Sequence, residues 1–167
     1  MFCNGIQKKK ISQPRTRNFF KMQNTSSSCC IDKDLKQTMI EKSIQTQKIA
    51  YCPYSKFHVG ACILGENGTL YTGCNVENQS YGLTVCAERC AVMKMVSDGC
   101  HVIKGIAVST NIGVTPCGAC RQVLQEFVNE ETKDFPIFIV NSETLSVADS
   151  SIKQLLPSAV DLLFLKN

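Results

Sequence analysis

The sequence predicts one α/β domain, a mixed sheet with helices on its faces, and three features of its 167 residues point there. A helix-spaced segment opens the regular part of the chain, two strand patterns joined by a tight turn follow, and helical and strand patterns then alternate. The apolar share of 44% is enough material for one full core at this length. No apolar run approaches the ~20 residues needed to cross a bilayer. The N-terminus lacks the continuous apolar stretch of a secretory leader, so a cytoplasmic protein without a membrane partner is expected.

Residues 1–31 stand apart from this pattern. Six of the 18 basic residues fall there (Lys8, Lys9, Lys10, Arg15, Arg17 and Lys21) and none of the 14 acidic ones. Rich in Ser, Asn, Gln and Lys and without hydrophobic periodicity, the segment reads as a disordered basic extension. Its Arg and Ser content without acids is a weak fit to an organelle transit peptide. The folded domain is expected over residues 32–167. Twelve basic against 14 acidic residues leave it a net −2, which is no electrostatic footprint for a polynucleotide.

Within the domain, Leu35, Met39, Ile40 and Ile44 recur at helical spacing between Asp32 and Ala50. Pro53 ends that helix, because the residue before a proline resists the helical region. Phe57, Val59, Ala61 and Ile63 alternate as a strand, Asn67-Gly68 supplies a turn, and Leu70 to Val76 returns. Thr84 to Asp98 reads as a helix stopped by Gly99, and the β-branched run Val102 to Ser109 as a buried strand. Thr115-Pro116 looks like an N-cap followed by proline at the first helical position, opening a helix toward Phe127 and Val128. Ile137 to Val140 is a further strand, and a short helix from Ile152 to Leu156 ends at Pro157.

Chemistry concentrates in two motifs, Cys86-Ala87-Glu88 and Pro116-Cys117-Gly118-Ala119-Cys120, each near a predicted helix N-terminus. Eleven cysteines without a secretory leader, and an odd number of them, favour reduced thiols with a metal site over a disulfide framework. A C-x-x-C pair in a helical first turn aims two sulfurs at one place. One further cysteine from another helix makes three ligands, and catalytic zinc keeps its fourth position for water. Cys86, Cys117 and Cys120 are therefore the expected ligands of one Zn²⁺. Glu88, two residues beyond a ligand, can reach both the bound water and a substrate as general acid and base. Arg89 can offset the charge of the thiolates as a donor behind the ligands; its plainer alternative is a surface ion pair. A structural zinc site would need a fourth ligand such as His101 or Cys100, and a redox C-x-x-C would leave Cys86 unexplained.

The order of these residues follows the signature of the zinc-dependent nucleobase deaminases, and the chain as a whole resembles the small cytidine deaminases. The likeness runs roughly from Lys33 to Pro157. It includes Tyr54-Ser55-Lys56-Phe57, Val59-Gly60-Ala61, Gly73-Cys74-Asn75-Val76-Glu77-Asn78, Cys86-Ala87-Glu88-Arg89 and Pro116-Cys117-Gly118-Ala119-Cys120-Arg121-Gln122. The resemblance implies a three-layer α/β/α sandwich with a mixed central sheet. It also implies deamination of cytidine and deoxycytidine in pyrimidine salvage, and a homotetramer whose sites borrow residues across subunits. By the same resemblance Phe57 packs on the pyrimidine, and Asn75 and Glu77 hold the ribose 3′-hydroxyl. The Ala87 N–H and the Thr115 carbonyl meet the base edge, and Tyr81 lies near a subunit junction. Glu77 would repel a phosphorylated substrate, since its carboxylate stands where a phosphate would come. The C-terminus departs from the family: Val160 stands where an aromatic residue often reaches a neighbouring site, and Phe164 follows four residues later. The rival readings are a deaminase of a cytosine-bearing antibiotic and one acting on cytosine in a polynucleotide.

Overall fold

A computed structural model describes residues 31–160. The predictions made for residues 1–30 and for Phe164 lie outside these residues. Asp32 caps the first helix, α1 (Lys33–Gln47), by accepting from the Leu35 N–H at 2.8 Å. Strand β1 (Gly60–Gly65) and strand β2 (Leu70–Cys74) form a hairpin over Asn67-Gly68, where Gly68 takes φ +80°. Helix α2 (Ala87–Ser97), strand β3 (Ile103–Thr110), helix α3 (Gly118–Gln125), strand β4 (Pro136–Asn141), strand β5 (Val147–Ser151) and helix α4 (Ile152–Leu155) follow.

The five strands lie in the order β2-β1-β3-β4-β5. Only β3 and β4 are parallel, which requires a crossover, and α3 supplies it. Alternate side chains of the sheet feed two cores. Ala61, Ile63, Ile106, Val108, Ile137 and Ile139 pack with α2 and with Leu124 of α3. Cys62, Leu64, Ala107, Phe138 and Val140 pack with Met39 and Ile40 of α1. The expected three layers are present: α1 on one face, α2 and α3 on the other.

Several boundaries differ from the sequence prediction. The strand expected from Phe57 begins only at Gly60, and all six of its residues are buried because helices cover both faces. Alternation of Phe57 and Val59 with Ala61 and Ile63 therefore spans a loop and a central strand. Helix α2 starts at Ala87 rather than Thr84. Val85 instead bridges Val76 in extended form, after a 3₁₀ turn at Tyr81–Leu83. Thr115-Pro116 does not open α3: Cys117 is its N-cap and Gly118 its first residue. Edge strand β5, with its exposed Val147, Ala148 and Asp149, carried no apolar pattern to announce it.

Gly99 does end α2. At φ +79° its N–H bonds to Val96 O at 3.0 Å, while the Cys100 N–H bonds to Met95 O at 3.1 Å, the paired closure of a Schellman motif.

One edge of the sheet gathers everything that follows. Gly60 pairs with Cys74 on one side and Ser109 on the other, so β2 and β3 both end beside the start of β1. The chain leaves β2 toward the N-terminus of α2 and leaves β3 toward that of α3. The 52–59 loop enters β1 at the same edge.

Candidate active site

Cys86 and Cys117 are the N-cap residues of α2 and α3, with extended backbones (φ −71°, ψ 156° and φ −66°, ψ 166°). Neither side chain accepts a capping bond from a backbone N–H of its helix. Both sulfurs are left for another partner, at ends where the helix dipole favours negative charge. Cys120, at the third position of α3, is fully buried and brings its sulfur back over the first turn.

The three sulfurs lie within 4.8 Å of one another, with Cys86 Sγ and Cys117 Sγ 3.9 Å apart. A tetrahedral zinc with Zn–S near 2.3 Å requires sulfurs about 3.8 Å apart. Among the described residues this is the one cluster of at least three His, Cys, Asp or Glu side chains that could hold a metal. All eight cysteines in that range are free, so none of the three is taken by a disulfide. The donor set and its spacing fit one zinc ion with a fourth position open.

Glu88 follows at the second residue of α2 and is 4% exposed. Burial pushes its carboxyl up to about 7, against its own backbone N–H; the Cys86 thiolate adds to the rise and a bond with Cys120 lowers it. The Cys86 thiol is lowered to about 5, first by its hydrogen bond with Cys120 and further by Arg89. That same bond raises Cys120. Arg89 donates from Nη2 to Thr84 O at 3.1 Å and to Cys86 Sγ at 3.4 Å. Its guanidinium therefore faces the Cys86 sulfur and the Thr84 carbonyl.

The residues expected around a substrate lie at the same sheet edge. Phe57 is half-buried in the loop before β1. Asn75 is buried just after β2, where its side-chain Nδ2 donates to Phe57 O and its Oδ1 accepts from the Val59 N–H, both at 2.8 Å. Glu77, 7% exposed, accepts from the Tyr54 and Ser55 N–H groups at 2.9 and 3.2 Å and from the Ser55 hydroxyl. The hydroxyl and these two N–H groups hold its carboxyl below the usual carboxylate range, against partial burial, and Lys56 adds to the effect. Ala87 is buried at the first turn of α2. Thr115 is exposed, and its Oγ1 accepts from Arg121 Nη2 at 2.9 Å. Tyr81 is 65% exposed, its ring centroid 6.4 Å from that of Tyr54.

Sequence reasoning passed over two side chains in this network. Ser55 links Glu77 to the loop. Arg121 fans from α3 to Pro116 O at 2.7 Å, Leu155 O at 2.9 Å and Thr115 Oγ1, tying the segment before Cys117 to α4. Their only sequence signal is their place inside the Tyr54–Phe57 and Cys117–Gln122 motifs.

Residues 33–133 match the family described as the cytidine and deoxycytidylate deaminase zinc-binding region. A cytidine deaminase of Sporosarcina psychrophila is 45% identical over 125 residues, covering 74% of this chain and 89% of that protein. One from Halalkalibacterium halodurans is 42% identical over 126 residues, covering 74% and 92%. The crystal structure of cytidine deaminase from Burkholderia pseudomallei superposes with a TM-score of 0.69 at 37% identity, over 74% of this chain and 98% of that one. With the three-sulfur cluster between two helix N-termini and a buried glutamate beside it, the chain belongs to the zinc-dependent cytidine and deoxycytidylate deaminase family.

Proposed function

We propose that the protein hydrolyses cytidine and deoxycytidine to uridine and deoxyuridine with release of ammonia. The observation that carries this reading is Glu88, a carboxyl buried beside three sulfurs placed to hold one zinc ion. Zinc on Cys86, Cys117 and Cys120 supplies, when bound, a Lewis acid that makes a water acidic. Glu88 would hold the proton given up by the attacking water as the C4–O bond forms and would deliver it to N3 of the base. A second proton passes through Glu88 to N4 as the C4–N4 bond breaks, and ammonia leaves. Arg89 and the dipoles of α2 and α3 offset the negative charge of three thiolates, which would otherwise blunt the metal as an acid.

Phe57 offers a face for the pyrimidine, and the Ala87 N–H and Thr115 carbonyl offer a donor and an acceptor for its edge. Asn75 and Glu77 receive the sugar. The ionised Glu77 disfavours a phosphorylated substrate through like-charge repulsion.

The chain functions as a homotetramer in this reading. Exposed apolar side chains near the site support it: Tyr51 (58% exposed), Tyr54, Val76, Tyr81 and Leu83 (66%) offer a face for a second copy. Its place is cytoplasmic pyrimidine salvage, which imaging of a tagged full-length chain checks against organelle delivery by residues 1–31. The decisive assay is ammonia release from cytidine, deoxycytidine, cytosine, cytidine monophosphate and a cytosine-containing oligonucleotide. Turnover of the two nucleosides alone is expected; preference for any of the other three overturns the reading.

A further inference from the structure

The loop that carries Phe57 has no strand to hold it. It turns through Pro53–Ser55 and reaches β1 only at Gly60, with Lys56 in the left-handed region at φ +58°. A non-glycine residue keeps that conformation only where its surroundings impose it. Ser55 and Phe57 flank Lys56, and one hydroxyl joins them: Ser55 Oγ accepts from the Phe57 N–H at 3.0 Å. The same oxygen donates its proton to Glu77 Oε1. A hydroxyl has one proton to give and two lone pairs. Ser55 thus spends its only proton on Glu77 and a lone pair on Phe57.

The partition within Glu77 makes this contact distinctive. Oε2 already accepts two backbone N–H groups, from Tyr54 and Ser55. Those bonds survive any substitution other than proline at position 55, and they keep the carboxylate in place. Among the described residues Oε1 is held by the Ser55 side chain, and it retains a lone pair for a hydroxyl of a ligand. Asn75 fixes the loop from the other side, through Phe57 O and the Val59 N–H.

We propose that Ser55 is a positioning residue for sugar recognition, holding Glu77 Oε1 in place through its single hydroxyl. This rests on the nucleoside reading given above, in which Glu77 meets the 3′-hydroxyl. Ser55 touches no substrate in this scheme. It acts through Glu77, so its effect should vanish where the 3′-hydroxyl or the carboxylate is absent.

Steady-state kinetics of the zinc-loaded full chain on cytidine and 3′-deoxycytidine test this. The wild type should prefer cytidine. Ser55→Ala should lose roughly tenfold in kcat/KM on cytidine, mainly through KM, as expected for a weakened hydrogen bond to a charged group. It should change little on 3′-deoxycytidine, so the preference shrinks. Ser55→Thr, which keeps the hydroxyl, should restore it, and Ser55→Ala should add nothing to Glu77→Gln. An undiminished preference in Ser55→Ala, or an equal loss on both substrates, overturns the proposal and leaves the nucleoside reading standing. A wild type indifferent to the 3′-hydroxyl overturns the sugar assignment of Glu77 and the role of Ser55 with it. Should the alanine variant not fold, Ser55→Cys, with nearly the same shape and a weaker donor, reads out the same ratio.

Discussion

Glu88 and Cys117 stand within one site, yet their removal should fail in different ways. Glu88 is not among the three sulfurs and lies two positions past the α2 cap, so Glu88→Ala should keep zinc stoichiometry and thermal stability. Its turnover should nevertheless fall by at least ~10²–10⁴-fold, the range for one general acid–base transfer, because the proposed cycle asks it for several. Cys117→Ala deletes a ligand, and zinc affinity, stability and activity should fall together. Metal analysis beside kinetics separates the two; zinc loss in Glu88→Ala would make Glu88 a ligand and the site structural. Glu77 sets a pH dependence of its own. Its carboxyl is lowered in the fold, by Ser55 first, so its stabilising effect is complete above the ordinary carboxylate range. That effect fades as pH falls through the lower folded value. Thermal melts between neutral and acidic pH should therefore show a smaller acid-side loss in Glu77→Gln than in the wild type.

At the level of elements, the site depends on how closely helices approach the sheet. A Cβ at Gly73 would come within 2.4 Å of Ala91 N and 2.5 Å of Ala87 O, both backbone atoms of α2. A side chain there must push α2 off β2, and Cys86 and Glu88 ride on the first turn of that helix. Gly73→Ala should cost ~1–3 kcal/mol, as overpacking does, and lower turnover beyond what the remaining folded fraction explains. Denaturant titration and active-site counting would measure the two effects; wild-type stability would mean that α2 has freedom the packing denies it. Gly60 plays the same part for α1, where a Cβ would meet Ser43 O at 2.0 Å. The helical spacing of Met39 and Ile40 announced α1, but no periodicity shows how near a helix will sit. That distance is set by the residues opposite it.

At the scale of the molecule, the family match begins at residue 33, and the core already uses Ile31, which packs beside Leu35 and over Gly105. A chain beginning at Ser28 keeps that contact. It should retain zinc content, melting temperature, sedimentation and turnover, as expected if the extension ends just before Ile31, one residue short of the 31/32 boundary expected from the sequence. Loss of the assembled species in sedimentation would give the extension a structural role. Full activity with altered cellular location would give it a targeting one.

The sequence by itself determined the α/β class, the order of the helices, four of the five strands, the three sulfurs and the glutamate beside them. Hydrophobic spacing and ligand spacing are local properties, carried by neighbours along the chain. The tertiary structure decided which cysteines cap their helices, because Cys86 and Cys117 differ from ordinary N-caps only in having a partner 31 residues away. It also decided that Asn75 and Glu77 grip the Phe57 loop, and that Ser55 and Arg121 belong to the site's framework. A hydroxyl or a guanidinium in a loop motif is only a potential donor. Its partners are chosen where β1, β2 and β3 meet at one edge of the sheet, and that meeting is a property of the folded chain.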